Sequence, residues 1–473
     1  MTTDLVRGQF CLSDLTYKKV LLFGTALAVA TALSGCGSGR SGSASAGVAT
    51  DAATVGLSNI LFTQGVQAVR ATVPVSDLNL IRYDLSPGMS YSYGFSVADY
   101  DGSGRPSISY FDSFGPARAR LRTKAGAVGN MVWNNGDRDV IVANETFEFQ
   151  SSSQATNSSE FLFERHVPVD INSDGKLDIV GVSNSHAAVV AYINPGVRGV
   201  PWTRRVLSSH TPGPVNLAVA DINGDGRPDV VVAMRYQPST NAPDAAVGIA
   251  WLENTGLPTG EWIYHVIDTT PGDFIDPRTV QVGPIGSSGR PDVLTTDSGT
   301  GAVVWYSQEG ANGWARHPIA GVSTLNAHFG QLVDMDGDGL LDILIPVIQG
   351  VAWLHNIAHG SYWDVHPVVQ FTDANWSNVV TEVVAGDVHH AGMLDIVFSV
   401  GSLSGGFNSP HSGGLYIAQR SGAQWAISKI YQTENSVVGT QLVNFDGTGV
   451  LSIVSNTEYQ QNAVTLWQNQ LGL

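Results

Sequence analysis

The sequence predicts an all-β fold, a seven-bladed β-propeller with four-stranded blades, from three observations. An acidic, glycine-rich segment recurs seven times, at intervals of 50 to 71 residues. An apolar strand, a glycine turn and a further strand follow these copies, and nine of the eleven tryptophans lie on this second pattern. Four short strands per repeat, joined by short turns, are typical of propeller blades.

The composition excludes several classes of protein. Lys plus Arg is 24 and Asp plus Glu is 41, so the net charge of −17 does not favour binding of nucleic acid or anionic lipid. Hydrophobic residues make up 43% and charged residues 14% of the chain, which excludes a disordered polymer. Only two cysteines occur, Cys11 and Cys36, so a disulfide scaffold is also excluded.

Residues 1–35 are predicted to be a lipoprotein signal peptide. Lys18 and Lys19 precede an apolar run, 20–32, which would span only ~20 Å as a helix and is too short for a ~30 Å hydrocarbon core. The Leu-Ser-Gly-Cys segment that ends at Cys36 resembles the lipobox of bacterial lipoproteins, and this resemblance implies lipid attachment at Cys36. An ordinary secretory signal and a short anchor helix are the alternatives.

The rest of the chain is predicted to be a tether and one domain. Residues 36–57 begin with a Gly- and Ser-rich stretch that suits a flexible tether, and residues 58–473 form the propeller. After the last acidic copy the chain has room for only two strands. We therefore expect the segment 78–85 to complete the last blade and close the ring, which removes exposed sheet edges. An open solenoid is the alternative.

Three of the acidic copies carry four side-chain oxygen ligands for a cation. Oxygen ligands at alternating positions suit Ca²⁺, and the intervening glycines permit a tight backbone path. The loops are not EF-hands, because Ile345 stands where the twelfth-position Glu would be. We expect three full calcium sites, formed by Asp170, Asn172, Asp174 and Asp178; by Asp221, Asn223, Asp225 and Asp229; and by Asp334, Asp336, Asp338 and Asp342.

Two further copies keep ligand oxygens but lose charge, so the number of calcium ions could reach five. These weak sites comprise Asp99, Asp101 and Ser103, and Asn444, Asp446 and Thr448. The copies that begin at Pro284 and Asp387 are expected to hold no calcium. The first keeps only Asp292 of the ligands, and the second carries His389 and Ala391 at ligand positions. Calcium is expected to stabilise the loops rather than to bridge a ligand.

The acidic copies resemble FG-GAP/VCBS repeats, the calcium-loop blades of integrin α-subunit propellers and many bacterial surface proteins. A Trp-x-x-His pattern at 262–265, 314–317 and 363–366 is similar to that of propellers in certain fungal lectins and in aldos-2-ulose dehydratase-like proteins. The resemblance covers roughly residues 78–473. It implies the fold and the calcium loops, but one fold hosts many activities.

The ligand is expected on the face opposite the acidic loops. Each acidic loop joins the first strand of a blade to the second, so the irregular insertions 143–160, 236–245 and 401–414 emerge mainly on the other face. Four basic residues near its centre are the candidate ligand contacts: His186, Arg235, Arg278 and His328.

The sequence favours a monomeric, non-enzymatic protein of the bacterial cell envelope, lipid-anchored at the outer membrane or cell surface, that binds a glycan or protein partner. The motifs of serine hydrolases, zinc proteases and phosphate-binding loops are absent from the sequence, and no catalytic residue is assigned. One alternative is a sugar-modifying lyase or dehydratase with an axial metal, for which His328 is the best candidate ligand. The other is a purely structural envelope-assembly protein.

Overall fold

A computed structural model describes most of the repeat region. The described residues are 78–84, 92–100, 102, 106–112, 122–125, 138–140, 165–183, 187–197, 202–235, 247–310, 313–371, 378–402, 413–422, 424–433, 436–444, 447–457 and 464–471. The chain divides into the units 1–55 and 56–473, and every described residue belongs to the second unit. The predicted signal peptide and Cys36 lie outside the described residues. Within the described part, no helix is long and apolar enough to cross a membrane.

The described structure is made of β-strands that form four-stranded antiparallel sheets. The early strands are β1 (Leu80–Asp84), β2 (Ser92–Ala98), β3 (Ser107–Asp112), β4 (Arg122–Ala125), β5 (Arg138–Val140), β6 (Arg165–Val169), β7 (Asp178–Ser183), β8 (Ala188–Ile193), β9 (Thr203–Ser208), β10 (Pro214–Ala220), β11 (Asp229–Met234), β12 (Gly248–Glu253) and β13 (Ile263–Asp268).

The later strands continue in the same meander, each pairing with the next along the chain within its sheet. They are β14 (Pro277–Gly283), β15 (Asp292–Asp297), β16 (Val303–Glu309), β17 (Gly313–Pro318), β18 (Gln331–Val333), β19 (Asp342–Val347), β20 (Gly350–Asn356), β21 (Trp363–Gln370), β22 (Asn378–Gly386), β23 (Asp395–Ser402), β24 (Gly413–Ser421), β25 (Gln424–Thr433), β26 (Val437–Val443), β27 (Ser452–Thr457) and β28 (Val464–Asn469).

The sheets are numbered here in chain order. Sheets 1 to 6 are β2–β5, β6–β9, β10–β13, β14–β17, β18–β21 and β22–β25, and sheet 7 is β26–β28 with β1. Six of these sheets, sheets 2 to 7, have side chains described in all four strands. The sequence predicted seven such blades. In sheet 1 the outer strands β4 and β5 are described only as backbone. The prediction of an all-β propeller with four-stranded blades is confirmed.

The N-terminal strand completes the last sheet. β1 pairs antiparallel with β28, in a register that places Leu80 opposite Asn469 and Asp84 opposite Thr465. This strand falls inside the segment predicted for that role. The innermost strands also contact one another in succession, from β2 through β6, β10, β14, β18 and β22 to β26, and β26 contacts β2.

The core lies between adjacent sheets, as the apolar runs of the middle strands require. In sheet 3 every residue of β11 is buried, and β12 is buried up to Leu252. Both faces of these strands are covered by neighbouring sheets, which favours unbroken apolar runs over alternation. One cluster joins Val231 and Trp251 of sheet 3 to Val293 and Tyr306 of sheet 4. By contrast, the outer strand β13 exposes Ile263 and Val266.

An amide side chain at the end of the third strand ties each of several sheets to the sheet before it. Asn254 Nδ2 donates to the carbonyl oxygens of Ile171 in sheet 2 and Pro228 in its own sheet, both at 3.1 Å. Equivalent bonds to the preceding sheet are made by Asn194, Gln308, Asn356 and Asn469. The acidic loops are therefore held in a fixed relation to the neighbouring sheet.

Candidate functional site

The acidic loops join the first strand of each sheet to the second, as predicted. In sheet 2, Asp170 Oδ2 accepts the Gly175 N–H at 2.8 Å and Asp170 Oδ1 accepts the Asp174 N–H at 3.0 Å. Gly175 has φ of 83°, a left-handed conformation that favours glycine. Asp221 and Asp334 hold the same positions in their own loops through the N–H groups of Gly226 and Gly339. The first carboxylate of each loop thus folds the loop around itself.

The last carboxylate of each full loop is the first residue of the second strand and is fully buried. Asp178 Oδ1 accepts the Asn194 N–H at 2.7 Å, and Asp178 Oδ2 accepts the Ile171 N–H at 3.1 Å. Burial, together with repulsion from Asp174 and Asp170, raises the Asp178 pKa to about 6. Burial raises the Asp229 pKa to about 6 in the same way. Such a carboxylate beside other carboxylates suits a bound cation.

The loop of sheet 5 has the geometry closest to a cation site. Asp334, Asp336 and Asp342 each offer an oxygen, and these atoms lie within 4.8 Å of one another. His355 enters from β20, with its Nε2 3.0 Å from Asp336 Oδ2 and 3.7 Å from Asp338 Oδ2. Three carboxylates so close together fit a divalent cation, and carboxylate oxygens are the ligands that calcium takes. The preference for calcium follows from the chemistry of these oxygen donors.

The remaining loops differ in what the structure describes of them. Asp99, Asn444 and Thr448 are described, whereas Asp101, Ser103 and Asp446 lie outside the described residues. Asn444 Oδ1 accepts the Gly449 N–H at 3.2 Å, so a neutral side chain replaces the first carboxylate in the loop. In the Asp387 loop, His389 Nδ1 lies 2.9 Å from Asp395 Oδ2. A ring nitrogen therefore meets the last carboxylate there.

Three of the four predicted ligand residues meet at the opposite face; the fourth, His186, lies outside the described residues. Asp276 is their common partner. Arg278 Nη2 lies 2.8 Å from Asp276 Oδ2, and Arg235 Nη1 lies 3.6 Å from Asp276 Oδ1. Burial alone would raise the Asp276 pKa, but Arg278 and Arg235 bring it below its ordinary value. His328 lies close enough for the same charges to affect its own pKa.

The central cluster, formed by Arg235, Asp276, Arg278 and His328, extends to two further residues, Arg165 and Glu382, which like Asp276 were not predicted from sequence. Arg165 Nη1 of β6 lies 3.3 Å from Glu382 Oε2 of β22, although these strands belong to sheets 2 and 6. The Arg165 guanidinium also lies 3.7 Å from the centre of the Phe329 ring, just before sheet 5. The one signal available was a charged residue inside an otherwise apolar inner strand, as in the β22 sequence NVVTEVVAG.

A groove of about 680 Å³ lies between sheets 3 and 4 on the side of the acidic loops. Its walls combine aromatic rings with hydrogen-bonding groups, among them Trp251, Tyr264, His265, Arg290, Gln308 and Trp314. The His265 ring stacks on Trp251 at 4.3 Å, and its Nε2 lies 2.7 Å from Glu253 Oε2. The groove is open to solvent, and both aromatic rings and hydrogen-bonding groups face it.

A smaller groove of about 360 Å³ lies between sheets 4 and 5. Trp305, His317 and Trp363 line it, and the His317 ring stacks on Trp305 at 4.0 Å. The stacking of a histidine on the tryptophan of the neighbouring strand recurs at Trp353 and His366. The Trp-x-x-His histidines thus pack on outer strands, and two of them also line grooves.

Among the comparisons with known proteins, the match to a repeat family agrees with the fold. The model of the FG-GAP-like repeat family matches residues 170–232, which span two acidic loops. A search of curated protein sequences finds no match. Among solved structures, an Agrocybe aegerita lectin, described as recognising non-reducing terminal N-acetylglucosamine, is 16% identical with a TM-score of 0.43; the match covers 72% of this chain and 80% of the lectin.

Two further solved structures have lower scores. A putative gluconolactonase is 14% identical, with a TM-score of 0.38 and coverage of 76% of this chain and 99% of that one. A glucose dehydrogenase is 12% identical, with a TM-score of 0.37 and coverage of 82% and 99%. Likenesses at this level carry no information on ligand or activity.

Proposed function

We propose that this protein is a non-catalytic propeller that binds a carbohydrate in the groove between sheets 3 and 4. The groove itself carries the proposal. Trp314 and Tyr264 supply aromatic surface for the apolar faces of a sugar, while Arg290 supplies N–H donors for its hydroxyl groups. An aromatic and polar groove between blades is the feature that distinguishes a glycan-binding propeller from one with a flat apolar protein-binding patch.

This groove is not on the face where the sequence placed the ligand. Its wall includes Asn223 and Gly224 of an acidic loop, so it opens on the acidic-loop side. A protein partner at the opposite face remains a second candidate, supported by the exposure of Arg235 and Asp276 there, at 26% and 23% of their side chains. The two candidates differ in location and can be separated by substitution.

The setting of this activity is also part of the proposal. We infer seven blades in one closed ring, with sheet 1 as the blade between sheets 7 and 2, because the innermost strands contact one another in a complete circle. Calcium in the loops of sheets 2, 3 and 5 would offset the repulsion among their carboxylates. A lipid anchor at Cys36 would hold the domain at the cell envelope through the 36–57 tether.

The enzymatic alternative has less support from the described residues. A metal-dependent lyase would need several His or Glu side chains that converge on the axis. The described central cluster contains one His, His328, and one Glu, Glu382, together with three guanidinium groups, those of Arg165, Arg235 and Arg278. Guanidinium groups do not ligate metals.

A glycan-array screen of the full chain, with and without Ca²⁺, tests the proposed function. We expect binding to a restricted set of glycans and a loss of about tenfold or more in affinity for Trp314→Ala, because stacked aromatic contacts dominate such sites. Trp425→Ala is the matched control, since Trp425 lies near the start of the outer strand β25 of sheet 6 and is not among the groove residues. Absence of glycan binding, or equal loss in both variants, would contradict the proposal.

A further inference from the structure

The acidic loop of sheet 5 lacks a basic side chain that the loops of sheets 2 and 3 contain. In sheet 2, Lys176 Nζ lies 3.0 Å from Asp174 Oδ2, and in sheet 3 the Arg227 guanidinium contacts the corresponding carboxylate. Leu340 stands at the same position of the sheet 5 loop, two residues after Asp338. The third carboxylate of this loop therefore has no Lys or Arg two residues after it.

The sheet 5 loop also carries one more negative charge than the other two loops. Asp336 stands where sheets 2 and 3 have the neutral Asn172 and Asn223. The loop thus has four carboxylates and no Lys or Arg, whereas each of the other two has three carboxylates and one basic residue. One divalent cation would neutralise the loops of sheets 2 and 3, but the charge of the sheet 5 loop matches two such ions.

His355 brings a nitrogen donor to this loop from the third strand of the same sheet. It lies in β20 at the position that Glu253 occupies in β12, after the similar runs GVAWL and GIAWL. Glu253 contacts the outer strand, where its Oε2 lies 2.7 Å from His265 Nε2. By contrast, His355 Nε2 lies 3.0 Å from Asp336 Oδ2 and 3.7 Å from Asp338 Oδ2. The imidazole therefore replaces the missing basic side chain with a group that can also ligate a metal.

The Nε2 atom of His355 is buried and makes no hydrogen bond among the described residues. Its 3.0 Å contact with Asp336 Oδ2 therefore lacks the geometry of a hydrogen bond. Two atoms that ligate the same ion at ~2.1 Å lie about 3.0 to 3.4 Å apart in octahedral or tetrahedral coordination. The contact thus has the spacing of two ligands of one ion. A buried polar atom without a partner is usually satisfied by a ligand or by water.

The two neighbouring carboxylates each use one oxygen to shape the loop and place the other near this nitrogen. Asp336 Oδ1 accepts the Asp338 N–H at 3.2 Å, and Asp338 Oδ1 accepts the Leu340 N–H at 2.8 Å. The Oδ2 atoms are those that approach His355. Asp336, Asp338 and His355 each offer a ligand atom, and the three atoms lie within 4.8 Å of one another. The loop backbone thus orients the carboxylates for a ligand set with the imidazole.

We propose that Asp336, Asp338 and His355 bind a divalent transition-metal ion such as Zn²⁺, beside the calcium proposed for the same loop. Imidazole nitrogen suits zinc, copper, iron and nickel, whereas calcium takes oxygen ligands. Asp336 also belongs to the group of carboxylates with Asp334 and Asp342, so the two ions would share it. The loops of sheets 2 and 3 would hold one cation each. The second metal site does not depend on the proposed carbohydrate function.

Calorimetric titration of the full chain with Zn²⁺, without a polyhistidine tag and in excess Ca²⁺, tests this proposal. We expect one zinc ion per chain to bind in a manner that depends on His355. Its affinity should fall about tenfold or more in His355→Phe, which keeps an aromatic ring beside Trp353 but removes the nitrogen. Leu340→Lys leaves all three ligands in place and should also weaken zinc binding, because the new ammonium would pair with Asp338 as Lys176 pairs with Asp174.

Controls separate this site from surface histidines and from the calcium sites. His359→Asn is the matched control, since His359 is exposed in the turn after β20 and is not one of the three ligands. It should bind zinc like the wild type. The calcium-dependent shift in melting temperature should be the same in His355→Phe as in the wild type, which shows that the variant is folded.

Three results would overturn the second metal site: no zinc binding, zinc binding that excess Ca²⁺ abolishes, or zinc binding that survives both His355→Phe and Leu340→Lys. A loss in His359→Asn as large as that in His355→Phe would also overturn it. Glycan binding is measured separately in zinc-free buffer, so failure of this proposal and failure of the carbohydrate function are distinguishable.

Discussion

Arg165 Nη1 and Glu382 Oε2 lie 3.3 Å apart although 217 positions separate them in sequence, and the pair joins two sheets that are not neighbours. The side chains are only 9% and 14% exposed. Burial raises the Glu382 pKa, while Arg165 and the Thr440 N–H oppose that shift. The pair thus places two opposite charges at the centre of the molecule, where each charge is compensated by the other.

Replacement of Glu382 by Gln should destabilise the protein strongly. The change leaves the buried Arg165 without its carboxylate, and breaking a buried pair in this way costs about 3 kcal/mol or more. Chemical denaturation measures the free energy of unfolding. The double variant Arg165→Met with Glu382→Met should be less destabilised than the sum of the two single changes, because it leaves no isolated charge. Simple additivity would show that the two side chains do not depend on each other.

Calcium removal should lower the melting temperature by several degrees. The buried carboxylates of Asp178, Asp229 and Asp342 have raised pKa values caused mainly by burial, so a bound cation would stabilise their charged forms. Scanning calorimetry with EDTA and with added Ca²⁺ measures the effect. Asp334→Asn should reduce the calcium-dependent shift, whereas Asp387→Asn, in a loop with His389, should leave it unchanged. Identical curves with and without EDTA would contradict calcium stabilisation.

Replacement of Asn254 by Ala should destabilise the packing of sheet 3 on sheet 2. Asn254 is 4% exposed, and its amide satisfies the Ile171 and Pro228 carbonyl oxygens. Leaving buried acceptors unsatisfied costs about 1 to 3 kcal/mol. Equilibrium denaturation should show this loss. The exposed Asn79 provides a control, because among the described residues its side chain makes no hydrogen bond between sheets. Equal stability of the two variants would mean that these amide bonds contribute little.

Acid should destabilise the protein through His166. Burial lowers the His166 pKa from 6.5 to about 4, and its Nε2 lies 2.8 Å from Ser109 Oγ. Below pH 6.5 the unfolded chain takes up the proton and the folded protein does not. This contribution to stability is therefore complete above about pH 6.5 and is lost as the pH falls to about 4.

The pH effect is best measured as a difference between variants. Asp178 and Asp229 act in the opposite direction, because their raised pKa values make the calcium-free folded protein take up protons first as the pH falls. His166→Gln keeps a hydrogen-bonding side chain but cannot titrate. Its unfolding free energy should fall less than that of the wild type between pH 6.5 and pH 4, by up to about 3 kcal/mol. Parallel pH profiles for the two proteins would contradict the role of His166.

Much of the fold was predictable from the repeats. The acidic loop of nine residues and the apolar runs after it specify local structure, since the interactions within a loop such as that of Asp170 and Gly175 span only a few residues. The closing strand could be predicted because the last repeat lacked one. The amide side chains that join the sheets had a sequence signal as well, the Asn that ends the strands AVVAYIN, GIAWLEN and GVAWLHN.

The central cluster and the grooves were only partly predictable. Arg235, Arg278 and His328 were predicted near one face from their positions at strand ends, but their common partner Asp276 was not. The groove between sheets 3 and 4 appears on the side of the acidic loops, because it is formed by the way two sheets pack rather than by any loop insertion.

By itself the sequence determined the strand order, the place of the acidic loops and the strand that completes the last sheet. These properties depend on periodicity and on short-range hydrogen bonds, which repeat along the chain. Only the tertiary structure decided which charged side chains meet at the axis, because residues such as Arg165 and Glu382 come together when the sheets close around one centre. A repeat pattern records the composition of each sheet, whereas contact across the axis depends on the geometry of the whole ring.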